Sequence, residues 1–213
     1  MPEASNFLII NSDALRGVMT EKEKMLNHQM YDANYDDELL QERTKCKILC
    51  QKYNNLPIGD FDARKKLIRE ILGRTGENIT IEPDFWCDYG WNIRTGENFY
   101  ANHGLVILDG GGVEFGDNVF IAPSCGFHTA GHPIDFERRN RGIEYAHPIK
   151  VGSNVWFGAG VQVLPNVTIG SNVVIGAGSV VVKDIPDNSV AVGNPCRVIR
   201  KITEEDKKRD WSM

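Results

Sequence analysis

The residue types best suited to move a proton near neutrality gather in one polar stretch, TAGHPIDFERRNRGIEYAHP from Thr129 to Pro148. It holds His132 and His147, and His128 immediately precedes it. An imidazole titrates close to neutrality and can take the proton of a weakly acidic hydroxyl as a bond forms, an effect worth roughly 10²- to 10⁴-fold. A hydroxyl activated in this way attacks directly, with no covalent enzyme intermediate. No nucleophile is framed for one, because Cys125 lacks a GxSxG-like elbow. The five cysteines, Cys46, Cys50, Cys87, Cys125 and Cys196, lack the short paired spacing of a zinc knuckle or redox motif. They read as free thiols of a reducing cytosol, with Cys46 and Cys50 packed in a core, and no metal is expected.

The histidine stretch interrupts a six-residue rhythm that must position it. Every sixth residue is apolar at Ile81, Cys87, Ile93, Phe99 and Leu105, then, after an offset at DGGG, at Phe115, Ile121 and Phe127. Beyond the stretch the count resumes at Val151, Phe157, Val163, Ile169, Ile175 and Val181, in near-copies such as VGSNVW, IGSNVV and IGAGSV. Self-similarity at this period is the signature of a parallel β-helix. One inward apolar residue followed by Gly or Asn describes a short strand that turns sharply and stacks on the coil before it. The flat faces of such a prism favour oligomerisation.

Ahead of the coils the pattern is helical. TEKE at Thr20 offers a capping box, which predicts a short helix through about Tyr31. Amphipathic stripes follow at Leu39, Cys46, Leu49, Cys50 and Tyr53, then at Ala63, Leu67, Ile68, Ile71 and Leu72, separated by the breaker LPIGD. The chain divides into an extension at 1–18, a helical cap at 19–76, coils at 77–198 with the loop at about 128–148, and a tail at 199–213 whose KKRD is solvated. A net charge of -5 argues against a nucleic-acid or anionic-membrane surface. FLII at Phe7–Ile10 has no basic flank and is too short for a signal peptide or membrane span. A cytoplasmic protein acting on a small molecule is expected.

The repeats, with YGWNI, NFYAN, IAPSC, GHPID, NVWFGAG, GAGSVVVKDIPDNSVAVGNPCRVIRK and the cap's MTEKEKML, resemble the maltose and galactoside O-acetyltransferases of the hexapeptide-repeat superfamily. The likeness runs from about Met19 to Lys201. It implies a mainly β fold, a left-handed parallel β-helix with an N-terminal α-helical cap and an extruded catalytic loop. It also implies a homotrimer with acetyl-CoA bound between subunits. The family's general base falls on His132, with His128 in support. Its acceptor-binding asparagine falls on Asn102 and its serine before YG on Asp88. The cap aspartate of galactoside members falls on Asn34, and a further aspartate on Gly110, beside the retained Asp109. These departures weigh against a galactoside acceptor, and TEKEKML and CDYGWNI look more like the maltose-type members; Tyr89 or Trp91 is a candidate for stacking on a sugar face or, equally, for a packed corner. The resemblance places Trp156, Ala159, Ala177, Val182 and Lys183 along the coenzyme A arm, and Arg197 and Arg200 at its phosphate end.

The reading is therefore O-acetyl transfer from acetyl-CoA to a sugar hydroxyl. A xenobiotic or antibiotic O-acetyltransferase of the same superfamily is the alternative. A carbonic anhydrase of the gamma type, with zinc on His103, His128 and His132, is a more distant one.

Overall fold

The computed structural model describes residues 19–210 and Ser212. The expectation for residues 1–18 lies outside them. Three ladders of short parallel strands form the faces of a prism. One runs through Ile93–Arg94, Val113–Phe115, Ile149–Val151 and Thr168–Ile169, and a second through Trp86–Cys87, Val106–Leu108, Gly126–His128, Gln162–Val163 and Val180–Val181. The third starts at Ile79–Ile81, continues through Phe99–Ala101, Val119–Ile121, Val155–Phe157, Val173–Ile175 and Ser189–Val192, and ends on the antiparallel strand Arg197–Lys201. The last strand carries the sheet past the boundary expected at residue 198.

Every apolar position of the six-residue count is buried. Phe99, Phe115, Phe127 and Phe157 stack edge to face down the axis, with ring centroids 5.1, 4.9 and 5.1 Å apart. That spacing is favourable for aromatic pairs. At one corner Asn98, Asn118, Asn154, Asn172 and Asn188 all adopt φ between 54° and 59°. Asparagine tolerates this left-handed conformation, and its amides bond from coil to coil.

The six-residue count slips in the first coils. They are 20 residues long, so Cys87 pairs with Ile107, and Leu105 falls just before the strand. Extra corner residues at His103 and Gly104 cause the slip. Later coils shorten to 18 residues and the last to 16, and the step from Asn118 to Asn154 is 36 because the histidine stretch leaves the prism there.

The cap closes the open end. Thr20 and Glu23 form the capping box, but helix α1 stops at Leu26 (Glu21–Leu26), and Tyr31–Asp32 is a strand. Asn27, at the C-cap, and His28, with φ 56°, turn the chain out of the helix. Helix α2 (Asp37–Asn54) buries Leu39, Cys46, Cys50 and Tyr53, whereas Leu49 of the same stripe is only half-buried. Helix α3 (Phe61–Ile71) buries Leu67, Ile68 and Ile71. Tyr53 and Arg64 both donate to the carbonyl of Ile81, satisfying an acceptor that an uncapped coil would leave open. Among the described residues no helix is long and apolar enough to cross a membrane.

Candidate active site

The histidine stretch folds into a small antiparallel sheet outside the prism. Ala130–Gly131 pairs with Ile143–Ala146, whose other edge takes Tyr31–Asp32 of the cap. Between the two loop strands lies a single exposed helical turn, α4 (Phe136–Asn140), N-capped by Asp135. Arg139 ties the tip down through the carbonyls of Pro133 and Ile134. A Cβ at Gly131 would come within 2.4 Å of the Tyr145 hydroxyl, so a larger residue there would displace that ring.

His132 follows Gly131 with its side chain 43 % exposed. Its Nδ1 lies 3.0 Å from the carbonyl oxygen of Ile143. A carbonyl only accepts, so the proton sits on Nδ1 and Nε2 carries a free lone pair. The carboxylate Oε1 of Glu144 stands 3.6 Å from Nε2, beyond hydrogen-bond reach, and its other oxygen accepts from the Tyr31 hydroxyl at 3.1 Å. Burial raises the Glu144 pKa, while Tyr31, His132 and Arg43 pull the other way. Two acceptors therefore stand side by side at the loop surface.

The cap completes this group. Asn34 donates to the carbonyl of Gly142 at 3.2 Å, His28 Nδ1 is 3.1 Å from the carbonyl of Ala146, and Arg43 reaches the carbonyl of Ala33. Asp88 is half-buried within the field of Glu144 and Arg43. Burial raises its pKa, opposed by Arg43 and Lys47. Thus His132, Asn34 and Asp88 belong to one neighbourhood.

Other candidates take different places. Asp109 is fully buried; one oxygen accepts from the amides of Asp88 and Tyr89 at 3.0 and 2.9 Å, and burial pushes its pKa up to about 7. It positions the Asp88 turn from beneath rather than facing an acceptor. Asn102 lies at a coil corner, its Oδ1 accepting from the amide of His103. Tyr89 is buried, and Trp91 donates to Glu42 with Lys22 5.2 Å above its ring. Both pack against the cap, Tyr89 buried and Trp91 half-buried. His128 bonds Gln162 at 2.7 Å, and His103 contacts the carbonyl of Pro83, so within one chain His103, His128 and His132 hold separate partners.

On the donor side, Ala159 and Ala177 are exposed on successive coils, linked by the Gly178 amide to the Ala159 carbonyl. Trp156 is 54 % exposed beside them in sequence, and Val182 and Lys183 are exposed after the next strand. Arg197 is exposed and donates to the carbonyl of Cys196. Arg200 is occupied by a two-pronged pair with Asp206, both contacts 2.8 Å.

Glu144, Tyr31 and Arg43 are what the sequence reading missed. The alternation in IEYA was the available signal of a strand, and it points Glu144 to the same side as Ala146. No short-range pattern joins Tyr31 to it, because the contact spans 113 positions.

A loop-borne imidazole with one free nitrogen thus stands outside a capped parallel solenoid. The maltose acetyltransferase hexapeptide capping motif matches residues 24–76, and the bacterial transferase hexapeptide pattern of six repeats matches residues 148–183. A maltose O-acetyltransferase structure from Clostridium difficile 630 is 54 % identical, covering 87 % of this chain and 99 % of that one, with a TM-score of 0.85. A galactoside acetyltransferase in complex with coenzyme A is 42 % identical over 92 % of this chain and 97 % of its own, with a TM-score of 0.87. A hexapeptide-repeat acetyltransferase of Vibrio cholerae complexed with acetyl coenzyme A is 34 % identical over 87 % of this chain and 100 % of its own, with a TM-score of 0.80. The chain belongs to the maltose and galactoside O-acetyltransferase family of hexapeptide-repeat acetyltransferases.

Proposed function

We propose that the protein transfers the acetyl group of acetyl-CoA to a hydroxyl of a sugar of the maltose, glucose or galactoside kind, with His132 as general base. The observation that carries this reading is the tautomer fixed by the Ile143 carbonyl, which leaves Nε2 as a base at the loop surface. The sugar hydroxyl donates to Nε2 and attacks the thioester carbonyl. Its proton passes to the imidazole as the C–O bond forms. Collapse expels the coenzyme A thiolate, which takes the proton back and leaves as the thiol. Glu144, across the 3.6 Å gap, stabilises the transient imidazolium, and the Tyr31 hydroxyl fixes the carboxylate's orientation.

Asp88, Asn34 and Asn102 are the acceptor ligands in this reading, with Asp109 holding the Asp88 turn. Coenzyme A lies along Trp156, Ala159, Ala177, Val182 and Lys183, and Arg197 meets its phosphate. Arg200 contributes less, since a contact there would compete with Asp206. The protein works as a homotrimer in the cytoplasm. The exposed Phe120 and Trp156, adjacent on one sheet face, support a subunit boundary.

A screen of mono- and disaccharides, galactosides and chloramphenicol with a free-thiol readout tests the acceptor class. Sugars are expected to turn over with the highest kcat/KM. Chloramphenicol outpacing every sugar would move the protein to the xenobiotic class.

A further inference from the structure

Cys46 and Cys50 sit one turn apart on the buried face of α2, and Cys87 points inward from the first coil. The fold brings the three together across the seam between cap and solenoid. Cys87 Sγ lies 3.4 Å from Cys46 Sγ and 3.7 Å from Cys50 Sγ, and all three sulfurs fall within 4.8 Å of one another. Their exposures are 3 %, 0 % and 3 %, and all are free thiols.

We infer that Cys46, Cys50 and Cys87 form a binding site for a thiophilic d¹⁰ divalent cation, zinc in class, which fastens the cap to the first coil.

Spacing is the first argument. A tetrahedral ion with metal–sulfur bonds of about 2.3 Å holds its sulfurs about 3.8 Å apart, close to the separations already present. Little rearrangement is needed to insert it. A disulfide between any two would leave the third without a covalent partner, whereas a cation uses all three.

Charge and ligand softness give the second argument. Each metal–sulfur bond replaces an S–H bond and releases that proton to solvent, with no change of oxidation state. Three thiolates around a divalent ion leave one net negative charge, against two for a monovalent ion. Burial penalises that excess, which favours the divalent ion. Soft sulfur ligands exclude magnesium and calcium.

Cobalt(II) titration of the full-length protein, natively and during refolding from denaturant, tests the inference without reference to activity. The expected result is saturation at one cobalt per chain, with thiolate-to-cobalt charge-transfer absorption and tetrahedral visible bands, displaced by zinc. Cys46→Ala, Cys50→Ala and Cys87→Ala should each weaken cobalt binding by at least about ten-fold, while Cys125→Ala leaves it unchanged. Should an alanine variant fail to fold, the wild-type spectrum still decides. Folded protein without a charge-transfer band, a band that survives Cys50→Ala, or copper(I) bound in preference to zinc by competition would each overturn the proposal.

Discussion

The coil stack and the histidine loop obey opposite rules. Each coil is templated by the one before it, through buried apolar positions, packed phenylalanines and an asparagine amide ladder whose steps run from 20 residues in the first coils to 16 at the end. The loop has no internal template. Its strand Ile143–Ala146 is held by Ala130–Gly131 on one side and by Tyr31–Asp32 of the cap on the other. The loop's geometry depends on contacts more than 100 positions apart. Damage to the loop should therefore change rate at constant stability, and damage to the stack should change stability first.

The strongest test of that division is His132→Ala. It should lower kcat by roughly 10²- to 10⁴-fold, with thermal unfolding and the KM for acetyl-CoA nearly unchanged. A kcat within a few-fold of wild type on the best acceptor would remove His132 from the chemistry.

Phe127→Ala tests the other side. Phe127 is fully buried between Phe115 and Phe157, so truncation should cost about 3–5 kcal/mol of stability. Denaturant melts would measure it. Below the unfolding midpoint, kcat should stay near wild type. A loss of kcat in fully folded variant would mean that the stack and the loop are coupled more tightly than the contacts indicate.

The two regions also differed in how far the sequence disclosed them. The repeat, the loop's position and His132 were legible because they depend on local spacing or a short motif. The slip in the first coils was hidden because a strict count of six cannot register the corner residues at His103 and Gly104. Glu144 was hidden because its partners, Tyr31 and His132, come from two separate segments. The Cys46–Cys50 pair was visible on its helix, but Cys87 lies 37 residues beyond Cys50, and only the docking of the cap unites them.

Glu144→Gln asks whether the carboxylate stabilises the imidazolium or merely fills space. The variant keeps the shape and the acceptor for Tyr31 but loses the charge, so kcat should fall about ten-fold with KM for acetyl-CoA unchanged. Stability should move the other way. The folded pKa of Glu144 is raised, so its contribution is present below the ordinary value of 4.5 and is lost as pH rises through the folded value. The Tm of Glu144→Gln minus that of wild type should therefore grow from pH 4 to pH 8. A flat difference would mean that Tyr31, His132 and Arg43 already offset the burial.

The smallest effect separates two arginines that the sequence treated alike. Arg200 is bound to Asp206 through both guanidinium nitrogens, and that pair would have to open before a phosphate could displace it. Arg197 engages only the carbonyl of its neighbour, leaving most of its donors for an anion. Arg197→Ala should raise the KM for acetyl-CoA several-fold at nearly constant kcat, and Arg200→Ala by less than about two-fold. Removing the competitor sharpens the contrast: Asp206→Asn should lower that KM slightly if the freed Arg200 swings to the phosphate. An unchanged KM in Arg197→Ala together with a raised one in Arg200→Ala would reverse the assignment, placing the coenzyme's charged end over the C-terminal helix α5 (Glu204–Lys208) rather than beside Cys196.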